Sequence, residues 1–248
     1  MELSKTKFNL YASLQSSKMR RKHSLFIVEG EKSVRDALKI YSPVAIIKIK
    51  DSLFDFISSQ HDVFEVSTAE MHRLSSLSTP TKIIAVFSLP EAVEEDLACD
   101  PYRLYLLLDA IQDPGNLGTI IRTCHWFGID TIFASRNTVD LYNPKTLQAT
   151  MGSFTKVRVI YCELAELIQK NRPMPVYGLL LDGDDIYRAN LGKRGFIVMG
   201  NEGKGISAAL RGLITHRLLI PPATADHSES LNVAVATGIT LSQFIGHR

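Results

Sequence analysis

Two series of short apolar runs, each alternating with amphipathic stretches, predict an α/β protein with a smaller N-terminal α/β domain and a C-terminal domain built on a mostly parallel sheet with flanking helices. The first series lies in residues 25–88: "LFIVEG", "EKSVRDALKI", "VAIIKI", "LFDFISS", "VFEVS", "AEMHRLSSL" and "KIIAVFSL". Next comes "PEAVEEDLACDP", residues 90–101, which is acidic, bracketed by prolines and without a clean period, as a linker would be. The expected domains are therefore 1–95 and 102–248, joined near 90–101. From "YRLYLLL" onwards, strands are expected at 104–108, 131–134, 156–160, 176–181, 196–199 and 217–220, separated by helical or loop segments. Strands that alternate with helices give a parallel sheet covered on both faces. In such sheets ligands bind at the carboxyl ends of the strands.

Composition narrows the class. With 248 residues, 45% hydrophobic, the chain can bury one large core or two modest ones. No apolar run is long enough to cross a bilayer, and "MELSKTKFNL" lacks the apolar segment of a signal peptide, so a cytoplasmic protein is expected. The three cysteines, Cys99, Cys124 and Cys162, are widely spaced with no CxxC pair, which argues for reduced thiols and against a zinc site or a disulfide framework. A net charge of +2 is too small to diagnose nucleic-acid binding, but its distribution is uneven. Lys5, Lys7, Lys18, Arg20, Arg21, Lys22 and His23 crowd the start of the chain against Glu2 alone. This is either a face that follows a phosphate backbone or a solvated helix.

Three segments of unusual polar and glycine content fall just after expected strand ends. In "LDAIQDPGNLGTIIRT", residues 108–123, "DPGN" is a good turn, since Pro114 sets φ and Gly115 tolerates positive φ. Leu117, Ile120, Ile121, Cys124 and Phe127 then form one apolar helical face, which leaves Arg122 on the other side with Thr119 and Thr123. There Arg122 is either an anion ligand or an ordinary surface arginine. "GNEGKGIS", residues 200–207, is a glycine-rich loop but not a P-loop, because Gly205 follows Lys204 where Ser or Thr is needed. Its Glu202 either bonds a ligand or Arg122, or is simply solvated. In "IPPATADHSESLNVAVATGITLSQF", residues 220–244, Ser230 or Asn232 can cap the last helix. The three loops converge on a nucleotide-like pocket.

Taken together, "LDAIQDPGNLGTIIRT", "IVMGNEGKGIS" and "ESLNVAVATGI" resemble, in order and spacing, the three signature motifs of the SpoU (TrmH-like) RNA 2′-O-ribose methyltransferases of the SPOUT class. "DLYNPKTLQATMGSF", residues 140–154, is similar to the segment that usually lies between the first two motifs. The N-terminal "SLQSSKMRRKHSLFIVEGEKSVRDAL" resembles the substrate-binding domain that often precedes the catalytic one. The resemblance implies a C-terminal trefoil knot, an exception to the rule that chains are unknotted. It also implies S-adenosylmethionine as cofactor, no metal, RNA as partner and a homodimer. The expected reaction is methylation of a ribose 2′-hydroxyl, with 23S ribosomal RNA as substrate, or alternatively transfer RNA. A catalytically silent RNA-binding or assembly protein on the same fold is the competing expectation.

By position in the motifs, the catalytic set is Asn116, Arg122, Glu202 and Asn232, and the cofactor set is Leu180, Gly200, Ile220, Ser230 and Leu231. The RNA-binding set is Lys18, Arg20, Arg21 and Lys22. Arg122 falls on the family's proposed base, yet an arginine side chain keeps its proton far above neutral pH. A role in binding the acceptor phosphate and easing alkoxide formation is therefore expected, with Asn116 and Glu202 holding the guanidinium. One departure is visible in the third motif. "PPATADHSE" is longer than the usual loop and lacks its glycine, and Ala234 stands where serine is common.

Overall fold

The computed structural model describes residues 1–91, 97–224, 226 and 229–246. They form two compact units, Met1–Val93 with Asp140–Thr155, and Glu94–Val139 with Lys156–Arg248.

The first unit opens with α1 (Lys5–Ser13), capped by the Ser4 hydroxyl, and the short α2 (Ser17–His23). There follow β1 (Leu25–Glu29), α3 (Glu31–Ala37), β2 (Pro43–Ile49), β3 (Val63–Val66), α4 (Thr68–Leu74) and β4 (Ile83–Ser88). α4 starts where it does because Ser67 and Glu70 form a capping box, each side chain bonding the other residue's backbone N–H. The run "LFDFISS", apolar enough to suggest an element, forms turns instead. The sheet order is β1-β4-β2-β3, with only β2 and β3 parallel. Alternate residues Ile27, Ile47, Ile84 and Val86 pack with Phe8, Tyr11, Leu14, Met71 and Leu74 into one core. The opposite face carries Phe26 stacked on Phe87 at 5.5 Å.

The second unit contains β5 (Leu104–Leu108), α5 (Pro114–Phe127) and β6 (Thr131–Ala134) before the chain leaves it at Val139. α5 is bounded by local chemistry at both ends. Asp113 accepts from the Asn116 N–H at 2.7 Å, Pro114 occupies the first turn, and Gly128 ends the helix in the left-handed region at φ 76°.

Residues 140–155, including α6 (Pro144–Ala149), then belong to the first unit, where α6 packs against β1. The sequence division at 95/102 gave this segment to the C-terminal domain. The difference arises because its partners are distant in sequence: Tyr142 lies 4.6 Å from Phe26, and Phe154 stacks on Tyr41 at 6.5 Å. The Asp140 carboxylate accepts from Arg20 at 2.7 Å.

Back in the second unit come β7 (Arg158–Tyr161), α7 (Leu164–Lys170), β8 (Val176–Asp185), β9 (Gly195–Met199), α8 (Ala208–Arg211), β10 (His216–Leu219) and α9 (Val233–Ile245). All six strands are parallel, in the order β10-β8-β9-β5-β6-β7. β9 is buried throughout, as a central parallel strand covered on both faces must be. Two expected strands shift by more than one residue. The 156–160 strand starts two residues later because pairing begins at Arg158 opposite Thr131, and the 176–181 strand runs on to Asp185. Between successive β10 partners, Gly178 and Asp184, residues 179–183 of β8 arch away from the ladder. A Cβ at Gly183 would lie 2.5 Å from the Leu218 backbone, so only glycine allows this approach.

Candidate functional site

Because every strand of the second sheet is parallel, the loops after β5, β8, β9 and β10 all leave from one edge. The sequence placed its candidate residues in these loops. The structure joins three of them directly. Asn232, the N-cap of α9, uses Oδ1 to accept from the N–H groups of Ala234 at 2.9 Å and Val235 at 3.3 Å. Its Nδ2 donates to Asn116 Oδ1 at 2.9 Å, and Asn116 Nδ2 donates to Glu202 Oε1 at 3.1 Å. The Glu202 carboxylate also faces the backbone N–H groups of Gln112 and Asp113, each at 3.4 Å. All three motif loops are thus tied into one chain of hydrogen bonds.

Arg122 lies on the exposed side of α5, while Leu117, Ile120, Ile121 and Cys124 are buried. Among the described residues no hydrogen bond or ion pair joins it to Asn116 or Glu202, which bond each other instead of holding its guanidinium.

The cofactor set sits as follows. Leu180 is buried within the arch of β8, Gly200 and Ile220 are half-buried, and Ser230 and Leu231 are exposed. A Cβ at Gly200 would meet the carbonyl carbon of Gly205 at 2.3 Å, so the loop can close on itself only around glycine. Asn201 and Gly205 bond each other's backbone across that closure, at 3.0 and 2.9 Å. Ala225, His227 and Ser228 of the third-motif loop lie outside the described residues, as do residues 92–96 of the linker. Among the described residues, no group of three or more His, Cys, Asp or Glu side chains is placed to hold a metal ion.

Sequence reasoning missed two supporting residues. Asn201 Nδ2 donates to the Ala110 carbonyl at 2.7 Å, while its Oδ1 accepts from the Gly203 and Lys204 N–H groups. Asp109 is 8% exposed and accepts from the Ser207 N–H at 2.7 Å. An Asn before Glu-Gly, and an Asp ending an all-apolar strand, were the available signals.

The basic N-terminal set divides. Lys18, Arg21 and Lys22 are exposed. Arg20 is not a surface residue and is withdrawn from the RNA-binding set: its guanidinium is buried, donating to the carbonyls of Leu14 at 3.1 Å and Gln15 at 2.9 Å and to Asp140. A guanidinium buried inside the protein and committed to these three acceptors cannot also clamp a phosphate.

An open parallel sheet with three bonded polar loops gathered at its carboxyl edge defines an α/β domain of the class that binds ligands outside its strand ends. This chain belongs to the SpoU rRNA methylase family, which matches residues 103–242. Residues 7–85 match the MRM3-like substrate binding domain. The chain is 34% identical over 241 residues to the 23S rRNA (guanosine(2553)-2′-O)-methyltransferase RlmP of Bacillus subtilis, covering 95% of this chain and 94% of that one. A Porphyromonas gingivalis protein assigned to the TrmH family of RNA methyltransferases is 34% identical, with a TM-score of 0.85 over the whole of both chains. An AdoMet-bound rRNA methyltransferase from Sinorhizobium meliloti is 27% identical, with a TM-score of 0.86, covering 100% of this chain and 98% of that one.

Proposed function

We propose that this protein transfers the methyl group of S-adenosylmethionine to a ribose 2′-hydroxyl of structured RNA, with 23S ribosomal RNA as the substrate. The observation that carries the reading is the Asn232–Asn116–Glu202 chain, which links the three motif loops at one sheet edge. The similarity to RlmP over nearly the full length of both chains supports the choice of RNA.

The residues present fit the cofactor. The arch of β8, the closed glycine loop after β9 and the loop before α9 offer backbone groups beside the apolar Leu180, Ile220 and Leu231. S-adenosylmethionine supplies a methyl group activated by its sulfonium. The protein's part is alignment, worth several powers of ten when two reactants are held in register. Arg122, charged and facing solvent, binds the acceptor phosphate and favours the alkoxide. Asn116, Glu202 and Asn232 fix the loops around it, and Ser230 lies two residues before Asn232 in the third loop. Lys18, Arg21 and Lys22 contribute a basic surface for RNA.

The reading extends to three further properties. The C-terminal unit is a trefoil knot, a feature of the family, with α9 returning to pack beside α5. The protein is a homodimer: α5 and α9 together expose Trp126, at 85%, and Val235, at 52%. It acts in the cytoplasm, which suits three free cysteines. Among the described residues no helix is long and apolar enough to cross a membrane.

The test is transfer of labelled methyl from S-adenosylmethionine to total RNA from a strain lacking the protein, followed by size separation. Label in the large ribosomal RNA with wild type and none with Arg122→Ala, which still binds cofactor, is the expected result. Label in transfer RNA overturns the choice of substrate. Absence of cofactor binding overturns the enzyme in favour of a silent RNA-binding protein.

A further inference from the structure

Beside the three-motif chain, on its β5 and β6 side, lies a cavity of about 440 Å³, within the range of roughly 300–1,000 Å³ typical of ligand sites. Asp109, Ala110, Gln112, Asn137, Asn201 and Lys204 line it, with Gly205 and Ser207. It adjoins the motif chain directly, because the Gln112 N–H and Asn201 Nδ2 both approach Glu202 Oε2 at 3.4 Å.

The cavity is built rather than incidental. Its wall includes Ala110 at φ 59°, a left-handed conformation that costs a residue with a Cβ about 1–2 kcal/mol. That turn is held from both sides: the Ala110 N–H donates to Ser135 Oγ at 2.8 Å, and its carbonyl accepts from Asn201 at 2.7 Å. Asp109, more than nine-tenths buried, lines the cavity and uses Oδ2 for the Ser207 N–H. Among the described residues no donor meets its Oδ1. That oxygen is not sealed from solvent, so an N–H donor on a ligand in the cavity can reach it.

We propose that this cavity receives the acceptor nucleobase and selects guanine, with Asp109 and Lys204 as its specificity-determining residues. Guanine alone among the four bases presents two adjacent N–H donors, N1–H and the 2-amino group, on its Watson–Crick edge, and a single carboxylate accepts both. The neighbouring O6 is an acceptor and suits the Lys204 ammonium. Unstacked bases read along this edge are the usual route to sequence-specific RNA recognition. Adenine and cytosine present an acceptor where guanine has N1–H, and an acceptor against the Asp109 carboxylate is repelled. Uracil offers one donor in place of two.

This inference rests on the RNA-methylating reading, but its test requires no turnover. The full chain, saturated with S-adenosylhomocysteine, is titrated with GMP, IMP, AMP and UMP by NMR. GMP is expected to bind about tenfold more tightly than IMP, which lacks only the 2-amino group, and more tightly still than AMP. In Asp109→Asn that preference disappears while S-adenosylhomocysteine affinity is unchanged. Lys204→Met weakens GMP and IMP alike. Equal binding of GMP and IMP to the unaltered protein overturns the proposal, even if Asp109→Asn does not fold. So does the absence of nucleotide binding in the millimolar range. Failure to bind S-adenosylhomocysteine overturns instead the methyltransferase reading beneath it.

Discussion

Replacing Arg20 by alanine should destabilise the first unit without directly removing an RNA contact. The side chain is 2% exposed and makes three hydrogen bonds, the shortest being 2.7 Å to Asp140, whose own side chain is 28% exposed. Removing one member of a buried pair typically costs 3–5 kcal/mol, because the other is left uncompensated. Partial access of water to Asp140 puts the expected loss at the lower end, about 3 kcal/mol. Asp140→Asn keeps an acceptor in place but strips the more deeply buried Arg20 cation of its counter-charge, so it too should cost about 3 kcal/mol. Arg20→Met with Asp140→Leu removes both charges and fills the space, and should recover at least half of the loss. Hydrogen exchange of peptides spanning β1 and β4 reads the effect in the first unit alone. In parallel, the slope of log affinity against log salt for ribosomal RNA should fall by about one for Arg21→Ala or Lys22→Ala, with exchange unchanged. Unaltered protection in Arg20→Ala together with a lowered salt slope would refute the assignment of this arginine to the interior.

Three other outcomes are expected. Asn116→Asp removes the donor to Glu202 and sets a second carboxylate beside it, so methyl transfer should fall at pH 8 and partly return on acidification, as the pair takes up one proton; a pH–rate profile tests this. Burial pushes the Cys99 and Cys162 thiols from the ordinary 9.0 up to about 11, and it raises Cys124 further. Iodoacetamide should therefore label the native protein about a hundredfold more slowly at pH 8 than a free thiol, with the rate rising tenfold per pH unit; rapid labelling at pH 7 would contradict it. Trp126→Glu with Val235→Glu should weaken dimerisation on the order of a thousandfold, as ~200 Å² of lost apolar burial implies, and sedimentation velocity would show monomers where the unaltered protein gives dimers.

The parallel sheet was legible because buried strands announce themselves. "LYLLL" and "TIFA" occupy β5 and β6 at the expected bounds, since an uninterrupted apolar run between turn signals has few other uses. The start of β7 was not legible, because its register is set by Thr131 on the neighbouring strand. Arg20 was hidden for a similar reason. Within "KMRRKH" the arginines are chemically alike, and only the location of Asp140, 120 residues away, separates the buried one from its exposed neighbour. In the site, the turn residues and helix caps were readable locally, as Asp113 and Asn232 show. Which polar side chains bond one another was not, because Asn116, Glu202 and Asn232 are brought together only by the sheet.

That pairing has an electrostatic consequence for Arg122. Asn232 Oδ1 is occupied by two N–H groups of α9, so its amide can only donate to Asn116. Asn116 must then present its carbonyl oxygen to Asn232 and its NH₂ to Glu202. The orientation of both amides is thus dictated from the helix cap outward, with no freedom to flip. Glu202 in turn meets its donors from neutral groups, two backbone N–H groups and two amides, rather than from a cation. A carboxylate satisfied in this way has less call on a guanidinium. On the proposed reading, Arg122 is then left unpaired with Glu202 and open to an incoming phosphate, a stronger partner than a shared, solvent-exposed carboxylate would be. Glu202→Gln should on this argument disturb the loop through its lost acceptor while leaving the charge presented by Arg122 intact. If the variant instead strengthened RNA binding with a steeper salt dependence, Glu202 would have been neutralising Arg122 after all.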